Sequence, residues 1–144
     1  MQGFPHHYAV SGQAGTENPV TLSSAGLPDI GSMPPPEFNG PEGYWSPESL
    51  LAASVADCFI LTFRAIAGAS KLPWSDLQVE VIGTLDRVER VTRFTRFDLK
   101  ARLVVPAGTD PEKAERLLHK SEAACLITAS LNTENHLATE IVEG

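Results

Sequence analysis

The chain of 144 residues is poor in cysteine and in basic residues. Its two cysteines, Cys58 and Cys125, are too few and too far apart along the sequence for a disulfide scaffold. Eleven Lys and Arg residues against 18 Asp and Glu give a formal net charge of -7. A nucleic-acid surface requires clustered cations to contact phosphates, so no nucleic-acid partner is expected.

Targeting and membrane signals are also lacking. The first residues have neither the basic region nor the apolar core of a secretion signal. The most apolar segment is interrupted by Asp57 and Arg64, so we expect no membrane span. This length suits one ordinary domain with a real core, and we expect a soluble, cytoplasmic, single-domain protein over residues 1–144.

The strongest helix signals lie in residues 46–67. Ser46 is a preferred N-cap, Pro47 fits the first helical position, and Glu48 complements the positive end of the helix dipole. Apolar residues then follow on nearly every face of the helix, which predicts burial in a core or between subunits. They are Leu50, Leu51, Ala53, Val55, Ala56, Cys58, Phe59, Ile60, Leu61, Phe63 and Ile66.

Alternating apolar and polar residues predict strands on both sides of this helix. A β-hairpin is expected within residues 6–24, with Tyr8 and Val10 in its first strand. The stretch 26–43, rich in Pro and Gly, is expected to be an ordered loop, with a short strand at most, packed against the core. Residues 77–105 predict a long antiparallel hairpin whose turn covers residues 87–93.

A second helix is predicted from Asp110 and Pro111, which repeat the cap-and-proline start. Cys125 should lie on the inner face of this helix or just past its end. A further helical turn at 126–131 and a closing strand at 136–142 complete the pattern. The order of elements predicts an α+β domain with segregated layers and no βαβ rhythm.

Three segments together resemble a known family. They are Ser46-Pro47-Glu48-Ser49-Leu50-Leu51-Ala52-Ala53, Ala56-Asp57-Cys58-Phe59 and Glu122-Ala123-Ala124-Cys125-Leu126. The combination is similar to the OsmC/Ohr family, which comprises the osmotically inducible protein C and the organic hydroperoxide resistance proteins. The resemblance covers the chain from about Gly40 to its end. It implies an antiparallel β-sheet packed with a long buried central helix and a second helix, in an intertwined homodimer with active sites at the subunit interface.

The resemblance further implies a thiol-dependent peroxidase that reduces organic hydroperoxides. Carried over residue by residue, Cys58 matches the peroxidatic cysteine, Cys125 the resolving cysteine, and Glu48 the glutamate that helps to orient the site. Cys58 would be oxidised to a sulfenic acid and resolved by Cys125, and an external dithiol would reduce the disulfide. The resemblance suggests a dithiol of the lipoyl type. The cycle needs no metal and no bound cofactor.

One feature of the family is missing, an arginine supplied from the region before the central helix. The first arginine of this chain is Arg64. Burial raises the pKa of a thiol unless a cation or a dipole opposes it, so another group must stabilise the Cys58 thiolate. His6, His7 and Arg64 of a partner chain are the alternatives. The missing arginine also favours a second hypothesis, a non-catalytic redox-sensing or ligand-binding module with low peroxidase activity.

Each candidate residue has a simpler interpretation. A cysteine in an apolar helix is more often a small buried hydrophobic residue than a nucleophile, and this applies to Cys58. A glutamate in the first turn, such as Glu48, commonly only complements the helix dipole. Ten helical residues place Glu48 about 15 Å from Cys58 and on a different face, so Glu48 can serve a thiol only in another chain. Asp57 is expected to point away from the thiol. A metal site is disfavoured because no CxxC, HxH or HExxH spacing occurs.

Overall fold

Strands, a long helix, two strands, two helices and a last strand follow one another in the computed structural model, which describes residues 1–144. The strands are β1 (Ser11–Gln13), β2 (Val20–Ser23), β3 (Ile30–Ser32), β4 (Asp76–Val88), β5 (Val91–Val105) and β6 (Glu134–Glu143). The helices are α1 (Pro47–Ala69), α2 (Pro111–Ala124) and α3 (Leu126–Ala129). The predicted α+β class is confirmed. By internal contacts the chain separates into two units, Met1–Leu50 and Leu51–Gly144.

Three short strands form the sheet of the first unit. β1 pairs with β2 and β2 with β3, both antiparallel. The predicted hairpin is present, but its first strand is Ser11–Gln13 and lies beyond Tyr8 and Val10. The Pro- and Gly-rich stretch is ordered, as predicted, and contains β3 and a 3-10 turn at Pro36–Phe38. The expected packing of its apolar side chains is wrong, because three of them are exposed: Leu27, Ile30 and Phe38.

Helix α1 begins at the predicted residue. The Ser46 side-chain oxygen accepts a hydrogen bond from the Ser49 backbone N–H at 3.1 Å, and the Ser49 hydroxyl accepts one from the Ser46 N–H at 2.8 Å. This reciprocal pair satisfies two backbone donors that the helix itself cannot. Within one chain, only one stripe of α1 is fully buried, so the helix is not covered all round. The stripe consists of Val55, Phe59, Phe63 and Ala67.

The apolar character of α1 is stronger than its two charges suggested. By length and composition alone, α1 qualifies as a helix that could cross a membrane, in spite of Asp57 and Arg64. Its apolar neighbours outweigh those two charges. The core helix of a water-soluble protein passes the same test, so this is weak support for a span.

The second sheet has the order β4-β5-β6. β4 and β5 form the predicted antiparallel hairpin, but its turn consists only of Glu89 and Arg90, whose φ angles are 51° and 69°. A two-residue turn with positive φ at both positions matches the right-handed twist of its strands. The neighbouring charged residues therefore remain paired across the two strands. β6 pairs parallel to β5. The sheet is therefore mixed, and β5, α2 and β6 form a βαβ crossover that the sequence pattern did not predict.

The core of the second unit joins α1, α2 and one face of β5. Asp110 caps α2, its Oδ1 accepting from the N–H groups of Glu112 and Lys113 at 3.0 and 3.4 Å. One face of α2 is buried against the core, and the helix ends at its C-cap, Cys125. The fully buried side chains of α2 and β5 are Ala114, Leu117, Leu118, Ser121, Phe97, Leu99, Ala101, Leu103 and Val105.

Candidate functional site

The fold brings the two cysteines together. Cys58 lies in the middle of α1, beside the buried stripe, and Cys125 lies between α2 and α3, just past the end of α2. Both thiols are free, and they lie near enough for each to shift the pKa of the other. Cys125 is only 1% exposed, whereas Cys58 is half-buried.

Several hydrogen-bond donors surround the sulfur of Cys58. The backbone N–H groups of Leu126 and Ile127, in the first turn of α3, lie near enough to lower its pKa. The Thr62 hydroxyl, one helical turn further along α1, lies 3.9 Å from Cys58 Sγ. Sequence reasoning missed all three groups. The four-residue spacing that places Thr62 on the face of Cys58 was the one signal for them in the sequence.

The environment lowers the pKa of Cys58 below its ordinary value. Burial is the largest single influence and raises the pKa, because it penalises the charged thiolate. Hydrogen bonds from the Ile127 backbone, Cys125, Thr62 and the Leu126 backbone stabilise the thiolate, and together they outweigh burial. None of these donors is a cation. Within one chain, the pKa of Cys58 is therefore lowered by uncharged hydrogen-bond donors and not by a histidine or by Arg64.

The pKa of Cys125 is shifted in the opposite direction. Burial is again the largest influence and raises the pKa. Hydrogen bonds from the backbone and side chain of Thr128 offset part of this effect, while the neighbouring Cys58 raises the pKa further. As pH rises, Cys58 therefore ionises first and Cys125 stays protonated. This order suits one nucleophilic thiol and one thiol held in reserve.

Cys58 opens onto a cleft of about 560 Å³ beside α1 and the start of α3. Asp57 also lines the cleft and is the one charged residue there. Aliphatic side chains dominate the rest of the lining, which consists of Ser54, Leu61, Thr62, Ala65, Ile66, Ala124, Leu126 and Ile127. An apolar ligand of modest size fits such a lining.

Glu48 lies in the first turn of α1. Its Oε1 atom is buried and has no hydrogen-bond partner in the chain. A buried polar atom in a native structure normally has a partner, so this carboxylate is incomplete in one copy of the protein.

The three predicted cations are engaged elsewhere or exposed. His6 Nε2 lies 2.8 Å from the backbone oxygen of Gln2, while His7 and Arg64 are exposed. Arg64 does not line the cleft. No group of three or more His, Cys, Asp or Glu side chains is arranged to hold a metal ion.

The sequence matches one family model. The model described as OsmC-like protein covers residues 40–140. YmaD of Bacillus subtilis, an uncharacterized protein, is 27% identical over 139 residues, which cover 94% of this chain and 92% of YmaD. Peroxiredoxin OsmC of Escherichia coli is 27% identical over 97 residues, which cover 67% of this chain and 66% of the relative.

Solved structures agree on the fold. An OsmC-like protein of unknown function from Vibrio cholerae superposes with a TM-score of 0.85 at 18% identity, over 94% of this chain and 99% of its own. The organic hydroperoxide resistance protein OsmC from Legionella pneumophila has a TM-score of 0.76 at 23% identity, over 94% and 99% of the two chains. These likenesses show the architecture of the chain.

Proposed function

This chain belongs to the OsmC-like protein family, and on that basis we propose that it is a thiol-dependent peroxidase that reduces organic hydroperoxides. The observation that carries the proposal is the meeting of Cys58 and Cys125, whose pKa values are shifted in opposite directions. The names of two relatives support it, one a peroxiredoxin and one an organic hydroperoxide resistance protein. The proposed setting is the cytoplasm, where thiols are kept reduced between turnovers.

In the first step, the Cys58 thiolate attacks the distal oxygen of the hydroperoxide. The sulfur–oxygen bond forms as the O–O bond breaks, and the alkoxide leaves with the bonding electron pair and takes a proton to become an alcohol. Cys58 is left as a sulfenic acid. The lowered pKa of Cys58 supplies the nucleophile, and the aliphatic cleft receives the organic part of the substrate.

In the second step, Cys125 resolves the sulfenic acid. The Cys125 thiol loses its proton as its sulfur attacks Cys58 Sγ, and water leaves with the sulfenic oxygen. An external dithiol then supplies two electrons and two protons by thiol–disulfide exchange and becomes a disulfide itself. A lipoyl-type dithiol is the proposed reductant. The chain needs no further cofactor for this cycle.

The proposal includes a homodimer in which Glu48 serves the thiol of the partner subunit. The unpartnered, buried Oε1 of Glu48 supports this arrangement, since a second copy would supply the missing donor. The helix geometry supports it too. Ten residues of α1 separate Glu48 from Cys58, or about 15 Å, so the two cannot meet within one chain.

Mass spectrometry tests the cycle directly. Reduced protein treated with one equivalent of cumene hydroperoxide should lose two hydrogens, localised to a Cys58–Cys125 link. Cys125→Ser should instead stop at a Cys58 sulfenic acid that dimedone traps, and Cys58→Ser should not react. An unchanged mass of the wild-type protein would remove the proposal.

A second candidate function is a redox-sensing or ligand-binding module on the same fold. The absence of any cation among the donors to Cys58 favours it, because neutral donors stabilise a thiolate less than a charge does. Steady-state assays with cumene hydroperoxide and dihydrolipoamide separate the two functions. An enzyme reduces many equivalents of hydroperoxide, whereas a module forms at most one disulfide per chain.

A further inference from the structure

The hydroxyl of Thr62 behaves unlike the other helical hydroxyls of the second unit. Ser54, Ser121 and Ser130 each donate to a backbone carbonyl three or four residues earlier, at 2.7, 2.7 and 2.8 Å. This is the usual arrangement for a hydroxyl inside or at the end of a helix. The Thr62 hydroxyl has no such bond, and its one contact is Cys58 Sγ, at 3.9 Å. The Thr62 hydroxyl is therefore available to donate a hydrogen bond to Cys58 Sγ.

The position of Thr62 suits this contact. Residues four apart lie on the same face of a helix, and both Thr62 and Cys58 line the cleft. A distance of 3.9 Å is long for a hydrogen bond to a neutral thiol, but such bonds shorten and strengthen when the acceptor is ionised. Threonine in a helix has two accessible χ1 rotamers, so its hydroxyl can follow the charge.

The other ionisable groups near the sulfur supply no positive charge. Asp57, from the same helix, lines the cleft with Cys58, and a carboxylate cannot stabilise a thiolate. Cys125, at the junction of α2 and α3, is the second ionisable neighbour. Its protonated thiol lowers the pKa of Cys58 by hydrogen bonding, but it carries no charge. The cleft lining contains no cation. The thiolate therefore depends on uncharged donors.

We propose that Thr62 donates a hydrogen bond to the Cys58 thiolate and acts there in place of the arginine that this chain lacks. The inference rests on the proposed role of Cys58 as the peroxidatic thiol. In this arrangement a neutral hydroxyl, together with the N–H groups of Leu126 and Ile127, holds and orients the attacking sulfur. Removing the hydroxyl while keeping the side-chain shape should make the thiolate less stable.

Thr62→Val tests the inference because it replaces the hydroxyl by a methyl group of similar size. The rate at which iodoacetamide alkylates Cys58 is measured from pH 5 to 10, with mass spectrometry separating the Cys58 peptide from that of Cys125. We expect the midpoint of the Thr62→Val profile to move up by about half to one pH unit. This lowers the thiolate fraction at neutral pH about three- to tenfold.

Two controls isolate the hydroxyl. Thr62→Ser restores the donor and should return the midpoint to within about 0.2 pH units of wild type, a small fraction of one pKa unit. Thr139→Val makes the same chemical change in β6, where the hydroxyl contacts Glu115, and should leave the midpoint unchanged. If circular dichroism shows that Thr62→Val is unfolded, Thr62→Ala takes its place.

The outcomes separate this inference from the proposed function. A wild-type midpoint in Thr62→Val, or a raised midpoint that Thr62→Ser does not restore, overturns the role of Thr62 even if the protein is a fast peroxidase. A shift that Thr62→Ser reverses supports it. The same shift in a protein that does not reduce cumene hydroperoxide would retain the bond to the thiolate and remove the peroxidase proposal instead.

Discussion

The surroundings of Cys58 lower its pKa, whereas those of Cys125 raise its pKa. Both are penalised by burial. Hydrogen-bond donors outweigh burial at Cys58 but not at Cys125, whose pKa the neighbouring Cys58 raises further. Cys58 gains two backbone amides and a hydroxyl, whereas Cys125, as the residue between α2 and α3, has its donors supplied mainly by Thr128. A few hydrogen bonds are enough to reverse the direction of a pKa shift, because one pKa unit corresponds to only about 1.4 kcal/mol.

This asymmetry predicts the pH dependence of the first chemical step. The thiolate is the nucleophile, so the rate of reaction with a hydroperoxide should rise with pH and level off once Cys58 is ionised. Because the pKa of Cys58 is lowered, the midpoint should lie below that of an ordinary thiol. Stopped-flow measurement of Cys125→Ser with cumene hydroperoxide checks this without interference from disulfide formation. A midpoint at or above the ordinary value would contradict it.

At the scale of elements, α2 sets the position of the resolving thiol. Asp110 caps its start, and the helix runs along the core to end at Cys125. Loss of the cap should weaken this helix without touching either sulfur. Asp110→Ala should lower the free energy of unfolding by about 1 kcal/mol, since two backbone N–H groups lose their acceptor.

Urea denaturation of the reduced protein measures this cost. Asp110→Asn is the matched control, because an asparagine oxygen caps about as well as an aspartate oxygen, and its loss should be no more than a few tenths of a kcal/mol. If both variants lost the same stability, the charge of Asp110 and not its hydrogen bonds would account for the effect.

Local signals made the elements predictable, and non-local pairing did not. Ser46 and Asp110 mark helix starts because caps act within four residues, and both predictions were correct. The parallel pairing of β6 was missed because alternation reveals which side chains are buried but says nothing about the direction of the neighbouring strand. The predicted turn, residues 87–93, is longer than the observed turn of Glu89 and Arg90. Neither Glu nor Arg is a residue type that indicates a positive φ angle.

The candidate site was predictable only in part, for the same reason. Cys58 and Cys125 were selected through the family resemblance, because periodicity cannot show that two distant helix positions meet. The donors Leu126 and Ile127 act through backbone N–H groups, which every residue but proline carries, so no side-chain pattern marks them. The missing arginine was visible in the sequence, but its replacement by uncharged groups required the three-dimensional arrangement.

At the scale of the whole molecule, one copy leaves much apolar surface uncovered. No apolar side chain of residues 1–50 is fully buried, and several large ones are exposed, among them Tyr8, Phe38 and Trp45. A unit of this size without a core of its own gains little stability from burial. Large exposed apolar areas mark interaction surfaces, and together with the unpartnered Glu48 they favour a second copy as the covering partner.

Subunit complementation tests whether Glu48 acts across that interface. Glu48→Gln and Cys58→Ser homodimers should each show peroxidase activity at least about tenfold below wild type, the scale expected when a positioning or reacting group is lost. In a mixed dimer, the Glu48→Gln subunit keeps its Cys58 and faces the intact Glu48 of the partner subunit. One complete site is then restored, so co-expressed, doubly tagged heterodimers should approach half of the wild-type activity. If Glu48 served its own chain, the mixed dimer would stay as inactive as its parents, and a protein that elutes as a monomer would exclude the arrangement altogether.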